Sequence, residues 1–240
     1  MTRPTLLITG ASSGIGAATG RRAAPDWDLA LHYNANLTGA EEAARAAGAR
    51  VTLISTDLSD PANVAALFAA FDRDHAALDG LVNNAGVVDI AARVTDFTPE
   101  RVARMVAINL TAPMLVAGQA ARRMTRGSAI VNVSSAAARF GSPGQYVDYA
   151  ATKGGLEVFS KGLAQELAAD GIRVNAVRPG IIETPIHAKG GQPDRVNRLA
   201  PMVPMGRAGT ADEVARAILW LLSDQASYVT DTVMDVSGGR

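Results

Sequence analysis

The stretch Thr9-Gly10-Ala11-Ser12-Ser13-Gly14-Ile15-Gly16 decides how this chain is read. It follows the apolar run Thr5-Leu6-Leu7-Ile8 and leads into a helical pattern over residues 15–24, so a short buried strand turns through glycine into a helix. Gly10 can take a positive φ without a Cβ penalty, and Gly14 and Gly16 allow a ligand and a neighbouring strand close to the backbone. The free N–H groups of the new helix, at the positive end of its dipole, form a seat for a pyrophosphate. The spacing G-x-x-x-G-x-G is neither G-x-G-x-x-G nor the G-x-x-x-x-G-K-[ST] phosphate loop. No lysine follows the glycines, so nucleoside triphosphate hydrolysis is not expected. Alone, the segment also fits a strand-to-helix turn with no ligand, and later residues must decide.

Outward from this turn, strand-like runs at 5–9, 28–33, 50–56, 78–83, 128–134, 172–178 and 230–236 alternate with helical patterns at 15–24, 38–47, 61–75, 99–125, 148–169 and 211–223. The strand runs are continuously apolar, as in Ala129-Ile130-Val131-Asn132-Val133, the pattern of strands buried on both faces. The expectation is a single α/β domain over residues 1–240, its mostly parallel sheet covered by helices on both faces. Helix starts are marked by Asp60 before Pro61, Thr98 before Pro99, and Thr210 three residues before Glu213, a capping-box spacing.

The 240 residues carry 23 Lys+Arg against 23 Asp+Glu, a net charge of zero, so no global field recruits nucleic acid or an anionic membrane. With no cysteine, disulfides, thiolate catalysis and thiolate metal sites are excluded, and no metal is expected. Met1-Thr2-Arg3-Pro4 enters a strand at once, leaving no room for a signal peptide, and no apolar run approaches the ~18 residues of a spanning helix. A cytoplasmic location is expected.

In sheets of this kind ligands bind beyond the carboxyl ends of the strands, so polar residues there come next. The second strand ends in Asn34-Ala35-Asn36, without the carboxylate that would hold a ribose 2′-hydroxyl and repel a 2′-phosphate. That favours NADP(H), with NAD(H) as the alternative because no Arg or Lys stands there to grip a phosphate. His32 is expected to pack in or beside the sheet. Asp57 either accepts from an adenine amino group or caps a turn. In Asn83-Asn84-Ala85-Gly86 the amides either tie strand ends together or contact a cofactor, and Gly86 leaves room for a flat ring. Asn109, amid Val106, Ala107, Ile108 and Leu110, is either a structural bond or part of a polar relay.

Beyond the fifth strand lie Ser134-Ser135, then Tyr149-Ala150-Ala151-Thr152-Lys153. Tyr149 and Lys153, at i and i+4, share one helical face about a turn apart. An ammonium there would lower the phenol from its usual ~10 and make it a usable acid or base, although an exposed Tyr–Lys pair is the alternative. Tyr146 is a rival phenol, about two turns from Lys153.

Taken together, the glycine turn, Asp57, Asn83-Asn84-Ala85-Gly86, Asn109, Ser134-Ser135, Tyr149 with Lys153, and Arg178-Pro179-Gly180-Ile181-Ile182-Glu183-Thr184 form an ordered set. This set resembles the short-chain dehydrogenase/reductase family in its shorter, classical form, over residues 4–239, and within it the bacterial sugar- and acyl-carrier-reductase-like branch. The resemblance implies a Rossmann-type, doubly wound, seven-stranded sheet and an NAD(P)(H)-dependent oxidoreductase that moves hydride between nicotinamide and a carbonyl or secondary alcohol. It implies Tyr149 as general acid or base, Lys153 on the nicotinamide ribose and lowering the Tyr149 pKa, Ser135 on the substrate oxygen, and Asn109 holding a relay water. Gly10, Ser12, Ser13, Ile15, Asn34, Asp57, Leu58, Asn83, Ala85, Gly86, Ile182 and Thr184 match positions that line the cofactor.

Two departures stand out. Relatives often have the serine thirteen residues before the tyrosine, where this chain has Ala136; Ser135 lies fourteen before, with Ser134 as fallback. Asp231 stands near the last strand where the family often has glycine. The segment 183–207, with Gly190-Gly191, Pro193, Pro201 and Pro204, is implied to be a substrate lid, with Met202, Val203 and Met205 either lining it or packing at the surface and His187 as a candidate substrate contact. The resemblance suggests a homotetramer built from the 99–125 and 148–169 helices and the last strand. Two rival readings are a 3-oxoacyl-carrier-protein reductase, with Arg195, Arg198 and Arg207 as a docking patch, and a non-catalytic NADP(H)-binding regulator.

Overall fold

The computed structural model describes residues 3–48 and 50–240. Seven parallel strands form one sheet: β1 (Thr5–Ile8), β2 (Asp28–Tyr33), β3 (Val51–Ser55), β4 (Gly80–Asn83), β5 (Ala129–Val133), β6 (Arg173–Pro179) and β9 (Val233–Val236), in the order β3-β2-β1-β4-β5-β6-β9. Every strand expected from the sequence is present. In register, Thr5 to Ile8 of β1 pair with Asp28 to Leu31 of β2 on one side, and Leu6 to Ile8 pair with Gly80 to Val82 of β4 on the other. The strand order reverses between β1 and β4, which opens a crevice at their carboxyl ends.

Because side chains alternate along a strand, both faces of β1 are apolar. Leu6 and Ile8 join Leu29, Leu31, Val131 and Val177 on one face, against Val214 and Ile218 of α10 (Ala211–Leu222). Leu7 joins Ala30, Leu81 and Ile130 on the other, against Phe68 and Phe71 of α3 (Asn63–Asp74), Val116 of α5 (Ala112–Ala121) and Leu163 of α7 (Val147–Leu167). Helices α1 (Gly14–Ala23) and α2 (Leu37–Ala47) complete the first layer. Each fully buried Leu contributes about 1.5–3 kcal/mol, so the sheet and its two helix layers form one rigid frame.

The helix expected over 99–125 is interrupted. It runs as α4 (Pro99–Val106), a π-turn over Ala107–Thr111, and then α5. Pro113 lacks the N–H that would bond the Asn109 carbonyl four residues earlier, and the ladder loosens there. Thr98 caps α4 by accepting from Arg101 N (3.3 Å), and Thr210 with Glu213 forms the expected capping box on α10. The α3 helix starts two residues later than its Pro61 signal because Asp60 Oδ1 accepts from Ala62 N (2.9 Å) and holds that turn outside the helix.

His32 packs in the sheet as expected. Its Nδ1 accepts from Gly10 N (3.2 Å) and its Nε2 lies 2.8 Å from the Thr56 carbonyl, so Nε2 carries the proton and the ring is neutral. Asp231, the residue in place of the family's glycine, has φ +61°, the left-handed conformation that glycine takes without a Cβ penalty. Among the described residues, no helix is long and apolar enough to cross a membrane.

Candidate active site

A cavity of about 540 Å³ opens at the carboxyl ends of the central strands. Its floor is built by the glycine turn. Gly10 has φ +67°, and a Cβ there would stand 2.8 Å from Ala85 Cα, so only glycine lets β1 and β4 come this close. Asn84 Nδ2 donates to the Thr9 carbonyl (3.0 Å) and the Gly10 carbonyl (2.9 Å), while Thr9 Oγ1 accepts from the N–H groups of Asn84 and Ala85 (3.0 Å each). Ser13, at the N-cap of α1, makes no side-chain cap bond, so the helix presents its N-terminal N–H groups without one.

Gly10, Ser12, Ser13, Ile15, Asn34, Asp57, Leu58, Ala85, Gly86, Ile182 and Thr184 all line this cavity, as do Ser135, Tyr149 and Lys153. Asn83 does not. Its Nδ2 donates to Asn132 Oδ1 (2.9 Å) and the Pro113 carbonyl (3.1 Å), tying β4 to β5 and α5 inside the core. Of the two expected roles, the Asn83 side chain takes the strand-tying one: it projects towards α5 and away from the cavity, and Asn84 takes the wall position. Asp57 Oδ1 accepts from Ser59 N (2.9 Å) and Asn34 Nδ2 (3.3 Å), so it caps a turn while facing the cavity.

Asn109 is also off the wall. Fully buried at the π-turn, its Oδ1 accepts from Val87 N (2.9 Å) and its Nδ2 donates to the Val87 carbonyl (2.9 Å) and Met105 Sδ (2.8 Å). Its side chain clamps the Val87 main chain, the structural bond of the two expected roles, and it stands against Gly86, where a Cβ would lie 3.0 Å from Asn109 Oδ1 and 3.5 Å from Lys153 Nζ.

The first turn of α7 is fixed by Asp148, which receives Arg101 Nε (2.7 Å) and Tyr149 N (2.9 Å). From there Tyr149 and Lys153 reach the cavity. Tyr149 is partly accessible from the cavity, yet protein surrounds its hydroxyl closely enough for desolvation to raise its pKa above the usual 10, while a hydrogen bond with Ser135 pulls it down. Lys153 is buried, and burial lowers it from 10.5 to about 8. Its Nζ donates to the Val133 carbonyl (2.7 Å) and lies 5.8 Å from the Tyr149 ring centroid. In the protein without cofactor, burial is the larger influence on the Tyr149 phenol and Ser135 supplies the opposing pull.

Ser134 and Ser135 have separate tasks. Ser134 Oγ donates to Glu157 Oε1 (2.6 Å), and Glu157 is gripped by Arg178 through two bonds of 2.9 and 2.7 Å. Ser135 Oγ accepts from Ala137 N (3.2 Å) beside Tyr149. Both serines line the cavity, and the Ser134 hydroxyl is the one committed to a carboxylate.

Residues 183–207 form a covering layer with β7 (Ile182–Glu183), α8 (Ile186–Lys189) and α9 (Arg195–Leu199), and β7 pairs with β8 (Gly209–Thr210). Val203 packs with Ile181 and Ala208 in a small core, while Met202 and Met205 are exposed, so of the two alternatives these three residues take surface packing and do not line the cavity. His187 does line it, with Nε2 3.0 Å from the Ile182 carbonyl. Tyr146, the rival phenol, is buried at the N-cap of α7, donates to the Gly190 carbonyl (3.2 Å) and receives Gln192 Nε2 (2.8 Å). It ties the covering segment to the helix that carries Tyr149. Of the proposed docking arginines, Arg207 pairs with Glu213 (2.6 Å), and Arg195 lines the cavity. Arg240 lines it too; nothing local in the sequence links these positions to Tyr149.

With this geometry in place, the comparisons are consistent. A family model described as Enoyl-(Acyl carrier protein) reductase matches residues 10–240. An uncharacterized oxidoreductase of Escherichia coli K12, YgfF, is 46% identical over 98% of both chains. The 3beta-hydroxysteroid dehydrogenase 1 of Eggerthella lenta is 38% identical over 98% of this chain and 92% of its own. The crystal structure of the angucycline C-6 ketoreductase LanV with bound NADP superposes with a TM-score of 0.92 at 32% identity, covering 98% of this chain and 95% of that one. The chain belongs to the short-chain dehydrogenase/reductase family and is an oxidoreductase acting on carbonyl or alcohol groups.

Proposed function

We propose that the protein is an NADP(H)-preferring reductase of a small carbonyl compound, working in reverse on the matching secondary alcohol, with Tyr149 as the proton donor. The observation that carries this reading is the convergence of Ser135, Tyr149 and Lys153 on one cavity wall, opposite the glycine turn. The residues fit a dinucleotide: α1 presents a helix N-terminus without a side-chain cap, and Gly10 and Gly86 keep the path along β4 free of side chains. The nicotinamide supplies the hydride. Tyr149 holds the proton for the carbonyl oxygen, Ser135 orients that oxygen, and Lys153 stands ready to bond ribose hydroxyls.

Preference for NADP(H) is supported by the end of β2, where Asn34 and no carboxylate lines the cavity, and by the NADP bound in LanV. Residues 183–207 act as the substrate lid. Exposed Val102, Val106, Leu115 and Val158 on α4, α5 and α7 suit these helices for subunit contact in a homotetramer, which light scattering on the purified protein tests.

Tyr149→Phe should reduce NADPH-dependent reduction of an activated ketone by about 10²- to 10⁴-fold while NADPH still binds. Near-parental turnover would remove Tyr149 from its role. Tighter binding of NADH than NADPH, measured by fluorescence, would reverse the cofactor preference, and failure of every ketone in a panel would leave a cofactor-binding regulator.

A further inference from the structure

The substrate end of the cavity carries a charge pattern that hydride transfer does not require. Lys189, Arg195 and Arg240 line it, next to Gln145, Tyr146 and Phe140. Among the described residues, the single side-chain carboxylate on the wall is Asp57, which follows β3. Three cationic side chains therefore line this part of the cavity with no acidic side chain beside them.

Arg195 is the centre of this group. Its guanidinium lies 5.2 Å from the Tyr146 ring centroid, and its Nη1 makes both of its hydrogen bonds, to Oε1 of Gln145 and Oε1 of Gln192 (3.1 Å). Both acceptors are neutral. No acceptor among the described residues takes Nη2 or Nε, and no carboxylate pairs with Arg195, whereas ten other arginines do have such pairs. The Arg240 guanidinium lies 5.7 Å from the Phe140 ring, and its Nη1 is a buried nitrogen with no acceptor. Burial lowers the pKa of Arg195; Tyr146 pulls the other way, and repulsion from Arg198 and Arg240 adds to the lowering. The group stays charged, because a guanidinium does not lose its proton in a protein.

A half-buried cation without a counter-charge is costly. If Arg195 served only to fasten the covering segment to α7, a neutral donor would make the same two bonds without that cost. An arginine with its fork unmet is suited to a planar, bidentate anion.

We propose that Arg195, assisted by Arg240, binds a carboxylate on the substrate, so that the preferred substrates are oxo acids and, in reverse, hydroxy acids. This rests on the hydride-transfer reading above and adds the substrate class. Tyr146 and Gln145 hold the guanidinium in place, and the carboxylate fixes which carbonyl of the substrate faces Tyr149.

The test uses 3-, 4- and 5-oxo acids, each paired with its methyl ester, with NADPH and the intact protein. In the best-matched pair the acid should be favoured by about tenfold or more in kcat/KM, mostly through KM, as a charge-assisted bidentate bond provides. Arg195→Gln should collapse that ratio, and Arg195→Lys should restore part of it by returning the charge without the fork. Calorimetry gives a readout apart from turnover: cyclohexanecarboxylate should bind the protein–NADP complex about tenfold more tightly than cyclohexanecarboxamide. A smaller preference in either comparison, or one that survives Arg195→Gln in a variant of normal thermal stability, overturns the proposal. If no ketone of either kind is reduced, the hydride-transfer reading fails on its own, and the calorimetric comparison still decides whether this end of the cavity binds carboxylates.

Discussion

Lys153 Nζ donates to the Val133 carbonyl across 2.7 Å, at the end of the strand that leads into Ser134 and Ser135. The ammonium is buried, and its pKa falls from 10.5 to about 8. A depressed lysine weakens the fold at neutral pH: the unfolded chain binds the proton more tightly, and the penalty is relieved only as pH rises from about 8 towards 10.5. That penalty is on the order of 3 kcal/mol, from which the lost Val133 bond subtracts about 1. Lys153→Met should therefore stabilise the protein in urea at pH 7 by about 1–2 kcal/mol while abolishing turnover. A destabilised variant would contradict this.

Tyr149 has the opposite displacement, with burial holding its phenol above 10 and Ser135 pulling it back. In the protein alone, phenolate absorbance attributable to Tyr149, obtained by difference from Tyr149→Phe, should be absent at neutral pH and rise only above pH 10. Ser135→Ala should move that rise further up. Titration below pH 9 in the cofactor-free protein would show that a charge outweighs burial.

All three histidines are held below the usual 6.5, each by burial first. A neutral buried histidine contributes stability that is present above pH 6.5 and is lost as pH falls below it, because the unfolded chain then binds the extra proton. His32 has the most at stake, since a second proton would sit on Nδ1, the acceptor for Gly10 N. Urea midpoints should fall between pH 7.5 and 5.5, and less steeply in His32→Gln. An unchanged slope would remove His32 from the account.

Asp231 occupies a left-handed position with its N–H donating to the Val174 carbonyl (2.9 Å) and its carboxylate accepting from Gln165 Nε2 (3.3 Å). Asp tolerates this conformation and a β-branched residue does not. Asp231→Val should cost about 1–2 kcal/mol in urea unfolding, and Asp231→Gly should stay within about 0.5 kcal/mol of the parent. Equal effects would mean that the backbone conformation is not what matters there.

Continuous apolar runs marked all seven strands because a strand covered on both faces has no polar side to display. Ser135 and Ser134 were separable only as a ranking, since which of two adjacent hydroxyls faces Tyr149 depends on how the chain leaves β5. Asn83 stayed open between a strand tie and a cofactor contact for the same reason: its identity is compatible with either face, and its bond from β4 to Asn132 of β5 is the strand tie. Arg240 gave no local signal. It acquires meaning only because the fold carries it to Phe140, 100 positions earlier in the chain (240 against 140).

By itself, the sequence determined the βα alternation, the glycine turn, the helix caps and the i, i+4 relation of Tyr149 to Lys153, all of which follow from local geometry and short-range periodicity. The tertiary structure decided which side chains face the cavity, that burial raises the Tyr149 pKa against the pull of Ser135, and that three cationic side chains line the cavity with no acidic side chain beside them. Those properties are sums over neighbours distant in the chain. Desolvation and charge balance depend on what surrounds a group in space, which spacing along the sequence does not record.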